Sequence, residues 1–234
     1  MAYDYDEAPR ASPKVRLETI GEAWTLFQQQ SGVWLGAGAL LFLAIFVVYG
    51  GGSFAMLAPF LGKKEPDTGA LIATLLGGSL VLVVLLLALS GILSAGMYRM
   101  AIKQVRGEPI ALSDLWGATD CLGPMIGSSL LIGIAVSVGV NFFVIPGYLL
   151  GGLWMLAGPL VADRKLGAME AMTVSWKALQ PDLVMAAVYY FLISLVASLG
   201  VFVLGIGIIA TLPLFYLGLA LVYRDFFPDE GSQL

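Results

Sequence analysis

Charge divides this chain into blocks. Residues 31–62, 68–98, 121–162 and 183–223 contain no Asp, Glu, Lys or Arg. A helix rises about 1.5 Å per residue, so roughly 20 apolar residues cross a hydrocarbon core about 30 Å thick. The first two blocks each suit one long or tilted helix. The last two are long enough for two helices each, and each holds a proline where a turn is wanted: Pro146 followed by Gly147, and Pro213. The pattern predicts six spans, at 31–62, 69–98, 122–145, 147–162, 183–210 and 213–225. The fold class expected is all-α, a polytopic membrane helical bundle.

Between the spans lie segments with helical rather than uniform apolar spacing. Residues 17–28 (LETIGEAWTLFQ) align without a gap on residues 169–180 (MEAMTVSWKALQ). Leu17, Ile20, Trp24 and Phe27 correspond to Met169, Met172, Trp176 and Leu179, one apolar stripe of a helix in each copy. We expect both copies to be interfacial helices, at 13–30 and 167–180, anchored at headgroup depth by Trp24 and Trp176. Ser12 is the expected cap of the first, with Pro13 at its first helical position. A weaker third copy at 112–120 keeps Leu112 and Leu115 but has Thr119 in place of the tryptophan. The chain then reads as a polar N-terminal tail (1–12), one membrane domain (13–227) built from repeated hairpins, and a short C-terminal tail (228–234).

Small residues refine the packing picture. Glycines sit four apart at Gly32 and Gly36, Gly123 and Gly127, and Gly147 and Gly151, a spacing that lets helix backbones approach closely in lipid. The run Gly50, Gly51, Gly52, Ser53 predicts a kink or break in the first span, with 54–61 lying across the outer interface, because glycine costs a helix roughly 1 kcal/mol relative to alanine.

Composition agrees with the pattern. Of 234 residues, 59% are hydrophobic and 12% charged, and mean hydropathy is +0.91; an ordinary soluble domain carries about 25% charged residues. Net charge of −4 offers no basic surface for a nucleic-acid partner. Ten of the twelve Lys and Arg residues fall on one side of the six-span arrangement, and only Lys63 and Lys64 on the other. Positive residues in short loops stay cytoplasmic, which predicts both termini inside a bacterial inner membrane. The acidic, polar start of the chain does not resemble a signal peptide, so the first span is expected to direct insertion.

Candidate chemistry is sparse. Histidine is absent, and the lone Cys121 at the edge of an apolar block suits a buried, inert thiol. The carboxylates Glu18, Glu22, Glu108, Asp114, Asp120, Asp163, Glu170 and Asp182 fall into no nucleophile, metal or phosphate motif. Asn141 is the most polar side chain within a predicted span and suits a helix cap or interhelical contact. We expect no enzyme activity, cofactor or metal. Lys103, Arg106, Arg164, Lys165 and Lys177 form a candidate basic collar for anionic lipid headgroups, each worth about 1 kcal/mol.

The stretch 144–179, VIPGYLLGGLWMLAGPLVADRKLGAMEAMTVSWKAL, combines a Pro-Gly turn, a span containing Pro159, a charged exit at Asp163, Arg164 and Lys165, and an amphipathic helix ending near Ser175 and Trp176. It resembles the uncharacterised bacterial six-helix membrane proteins of the YciC-like group, and is similar to the membrane domain of some glycerophosphoryl diester phosphodiesterases. The resemblance implies a fold rather than an activity. The expected function is a structural or accessory membrane protein, surrounded by lipids and associating with itself or with other membrane subunits. The alternative is a transporter or lipid-handling protein using a cavity between the repeats.

Overall fold

The computed structural model describes residues 13–63, 67–142, 144–202 and 207–228 of the chain; the side chains of 87–88, 140–142, 144 and 201–202 also lie outside the description. The two tails, the Ser12 cap, Lys64 and the Asn141 side chain therefore fall outside it, except for residue 228. Every regular element among the described residues is helical, and six helices are long and apolar enough to cross a membrane. The chain is an all-α, multi-pass membrane protein.

The first unit opens with α1 (Thr19–Gln29), shorter than the expected 13–30. Residues 13–16 have no regular structure; Val15 donates its N–H to Asp182 at 2.8 Å, and Arg16 turns toward Asp225. These partners lie far along the chain, so local sequence gave no sign that they would hold this segment out of a helix. Gln30 (φ −131°, ψ 39°) separates α1 from α2 (Ser31–Phe46).

The glycine run does not break the span. A π-helical turn, Val47–Gly51, joins α2 to α3 (Gly52–Leu57), and a short 3-10 turn ends at Phe60, giving a helical segment of 30 residues. A π-bulge absorbs one extra residue without ending the hydrogen-bond ladder. This is how three glycines are accommodated in lipid, where a true break would expose unsatisfied backbone groups.

The return helix α4 (Thr68–Val105) has 38 residues and a length of about 57 Å, so it runs well past the expected end at residue 98. Asp67 caps its start, Oδ1 accepting from Gly69 and Ala70 at 2.8 and 3.1 Å.

The second unit begins with 3-10 turns, Leu112–Trp116 and Thr119–Cys121, instead of the expected α-helix at 112–120. It continues as α5 (Leu122–Phe142), α6 (Val144–Trp154) and α7 (Ala157–Arg164). Pro146 is a residue of α6, directly before Gly147. The hairpin brings Gly139 against Gly147: a Cβ on Gly139 would come within 2.7 Å of the Gly147 Cα.

The third unit comprises α8 (Ala168–Leu179), α9 (Leu183–Phe202) and α10 (Ile208–Phe226). Pro213 lies inside α10, so the expected spans at 183–210 and 213–225 shift: the candidate spans are Ala168–Gly200 and Ile208–Phe226. The turn is marked by glycine instead. Gly200 and Gly207 meet across it, a Cβ on Gly207 coming within 2.7 Å of the Gly200 carbonyl oxygen, much as Gly139 meets Gly147.

The two aligned segments share a burial pattern. Thr19, Ala23 and Phe27 on α1 are buried, and so are their counterparts Ala171, Ser175 and Leu179 on α8. The buried face therefore follows a four-residue spacing beside the expected tryptophan stripe. Trp24 and Trp176 remain 50% and 37% exposed.

The core concentrates at one end of the molecule, where the second half of α4, the α6–α7 segment and α10 pack together. Trp34 is fully enclosed there and donates Nε1–H to Gln104 Oε1 at 2.6 Å; Gln104 Nε2–H donates to the Leu26 carbonyl at 2.6 Å. One buried amide thus ties α1, α2 and α4 together with its polar atoms satisfied, as a dry interior requires. At the other end the first hairpin stands apart: none of the described side chains at 42–63 or 68–90 is buried.

Candidate functional site

The densest polar structure is at the buried end, where the last turns of α4 meet the ends of α7 and α10. Arg99, Lys103 and Arg106 recur at four- and three-residue steps and so share one face of α4. Arg99 is fixed on three sides: Nε donates to the Ala162 carbonyl at 3.0 Å, one terminal nitrogen to the Gly117 carbonyl, and the other to Asp120 at 2.6 Å. Lys103 donates to Asp114 at 2.9 Å. Asp114 also accepts the Ala111 N–H at 2.9 Å, holding the 3-10 turn in place. Arg106 makes a fork-to-fork pair with Asp163, both contacts 2.8 Å. Asp163 also accepts from the Tyr223 hydroxyl at 2.7 Å.

Lys165 completes the arrangement. It is the only described non-glycine residue with positive φ (56°), and its ammonium lies 2.7 Å from the second oxygen of Asp120. Arg99 and Lys165 therefore share one carboxylate. Together these groups border a cavity of about 300 Å³, lined by Arg99, Lys103, Arg106 and Lys165, by Asp120 and Asp163, and by Ile102 and Ala162.

Of the expected basic collar, the fold gathers Lys103, Arg106 and Lys165 around this cavity, each paired with a carboxylate. Arg164 turns elsewhere, donating to the Tyr223 hydroxyl at 3.2 Å and standing over the Phe227 ring. Lys177 is exposed on α8. Arg99 belongs to the cluster as well, and its step of four and seven residues to Lys103 and Arg106 was a visible signal. The acidic partners were visible only as scattered carboxylates, because their pairing crosses elements.

A second ionic group closes the termini of the bundle. Arg16 reaches Asp225 at 2.6 Å and Glu22 at 3.1 Å, and Arg224 reaches Glu22 at 3.2 Å. The hydrogen bond from Arg16 to Asp225, aided by the nearby charges of Asp225 and Glu22, holds the guanidinium above its usual range against the opposing effect of burial.

The anchor tryptophans differ in company: Trp24 stacks on Phe27 at 5.6 Å, and Trp176 packs against Trp154 at 5.9 Å. The expected glycine pairs act as single positions. Gly36 lies against Leu112, Gly127 against Ala168 and Gly151 against the Tyr190 ring, and Gly147 meets Gly139, whereas Gly32 and Gly123 face open space. Close backbone approaches away from the hairpin turns are at Gly38, Gly96 and Gly152, which face the backbones of Ile209, Leu115 and Ala186–Ala187. Four-residue spacing did not select these because each is matched by a surface elsewhere in the chain. Cys121 is buried, its thiol donating to the Ala118 carbonyl at 3.4 Å.

Among the described residues no cluster of three metal-ligating side chains occurs. Compared with family models, curated proteins and solved structures, the chain has no significant match.

Proposed function

We propose that this protein is a structural or accessory subunit of a bacterial inner membrane, with both termini cytoplasmic and no catalysis of its own, associating through its first hairpin with a second copy or another membrane subunit. The observation that carries this reading is the two-part build of the bundle. One end is tied by the buried Gln104 amide, by tyrosines and by ion pairs, while residues 42–63 and 68–90 contain no buried described side chain. Along α4, Ile72, Leu75, Leu80, Val81, Val84 and Leu85 are all exposed, and at about 100° per residue they cover most of the helix circumference. The hairpin packs on itself, Gly52 against Leu82 and Gly78 against Met56. In lipid such a surface associates through close packing and not through a hydrophobic drive, and Gly77, with open space around it, offers a close approach.

The equivalent buried positions of α1 and α8 and the matching glycine contacts at two of the three hairpin tips support an internal hairpin repeat. The bundle layout is compatible with the YciC-like resemblance. A lipid-handling role is the second reading, favoured by the cationic cavity at the paired end.

The test is association in nanodiscs at native lipid composition. The reading expects a defined oligomer or a stable partner complex that a Gly77→Trp substitution disrupts while leaving thermal stability intact. A lone monomer in both nanodiscs and native-membrane extracts, or an association indifferent to Gly77→Trp, counts against it. Orientation is tested separately by labelling single cysteines placed at Lys63 and Lys177, which should be reached from opposite faces, Lys177 from the cytoplasm.

A further inference from the structure

We propose that the cavity between α4, α7 and the 3-10 turn at Thr119–Cys121 is a binding site for a phosphate-bearing anion, with Lys103 and Lys165 as its ligands and Arg99 and Arg106 as fixed charges behind them. The inference stands apart from the association reading, since the hairpin of 42–90 contributes no lining residue.

Charge is the first support. The whole chain is acidic, at −4, yet four cations line this cavity against two carboxylates. Counting Asp114, which holds Lys103 from outside the lining, still leaves positive charge in excess. The excess arises because Arg99 and Lys165 share Asp120. An uncompensated cation at a partly enclosed site attracts anions more strongly than one in open water.

Preorganisation is the second. Arg99 is locked by two carbonyls and a carboxylate, and Arg106 by its two-pronged pair with Asp163. Neither has to be ordered when a ligand arrives. An ammonium has three donors; the ion pairs to Asp114 and Asp120 engage one each on Lys103 and Lys165, leaving donors for phosphate oxygens. Lys165 is 63% exposed in its side chain, so it can move onto a ligand from the rim. Its left-handed backbone ends α7 as a C-terminal cap, a conformation that costs a non-glycine residue of order 1 kcal/mol or more. Glycine would take this turn without strain. The volume, about 300 Å³, is at the lower end of small-ligand sites and suits a phosphate or a glycerophosphate headgroup.

The chemistry is the same for a free phosphate and for a lipid headgroup, and two arms separate them. In phosphatidylcholine nanodiscs, inorganic phosphate is titrated at constant ionic strength and thermal unfolding is followed. In parallel, nanodiscs containing phosphatidylglycerol and no free phosphate are assayed for unfolding, and for lipid retained after extraction into an uncharged detergent by native mass spectrometry. Saturable stabilisation or retention in either arm supports the site and identifies its source. Lys165→Gly and Lys103→Gln should each weaken it at least tenfold, with Lys165→Arg retaining it. Lys165→Gly fits the backbone conformation, so it keeps the fold intact during the comparison. No saturable effect from either source, or an effect unchanged in both Lys165→Gly and Lys103→Gln, overturns the proposal.

Discussion

Gly38 faces the carbonyl oxygen of Ile209, the acceptor that Pro213 cannot bond. Proline has no N–H for the residue four positions earlier, so within α10 the Ile209 carbonyl loses its helical donor. The backbone of α2 comes up against this group at Gly38, and a Cβ there would overlap it. A Cα–H can then lie against the freed oxygen, a weak but favourable contact. This pairing explains why a proline is tolerated inside a spanning helix: a neighbouring helix covers the group it leaves open.

Gly38→Leu is therefore expected to destabilise by at least the 1–3 kcal/mol of a typical overpacked core, because the obstacle is rigid backbone. Gly32→Leu, six residues earlier with nothing within 4 Å, is expected to be nearly neutral. Thermal unfolding of the two variants in the same detergent checks the contrast; equal stability would contradict the Gly38 contact.

Ser175 closes the interruption between α6 and α7. Its hydroxyl donates to the Leu153 carbonyl at 2.7 Å and accepts the Leu156 N–H at 3.2 Å, all three residues being buried. Removing the hydroxyl leaves both backbone groups without that partner, at a cost of about 1–3 kcal/mol. Ser175→Ala should lower the unfolding midpoint clearly, whereas Ser198→Ala, at an exposed position bonding only its own helix, should not. Equilibrium unfolding in mixed micelles reads the difference.

Gln104→Leu is predicted to be among the most destabilising single changes at the paired end. It strips the partner from the enclosed Trp34 indole N–H and removes the donor to Leu26, leaving a buried donor unsatisfied at about 1–3 kcal/mol. A change in tryptophan fluorescence should accompany the loss; an unchanged spectrum and stability would argue against the contact.

The Arg106–Asp163 pair should be coupled. Arg106→Ala leaves the Asp163 carboxylate with the Tyr223 hydroxyl but without its two-pronged donor, and Asp163→Ala removes that acceptor from the guanidinium. Charge-assisted bonds of this kind contribute about 1.5–3 kcal/mol. The double variant is expected to cost less than the sum of the singles, and a double-mutant cycle with no coupling energy would dismiss the pair as an organising contact.

The uncharged blocks alone determined that the chain is helical and crosses a membrane six times. This follows because an apolar segment of sufficient length has few alternatives to a spanning helix. The stripe spacing located α1 and α8 to within a few residues and marked their tryptophans. Tertiary structure decided where the last hairpin turns, for Pro213 lies inside α10 while Gly200 and Gly207 meet across the turn; in the preceding hairpin Gly139 meets Gly147, beside Pro146. Proline can sit inside a helix whenever a neighbour covers its freed carbonyl, and that neighbour, Gly38, is 175 positions away from Pro213. The site was divided in the same way. The basic residues stood out by type and spacing, but Asp114, Asp120 and Asp163 became their partners only when α4, α7 and the 3-10 turns met, since electrostatic pairing depends on distance in space and carries no local signature along the chain.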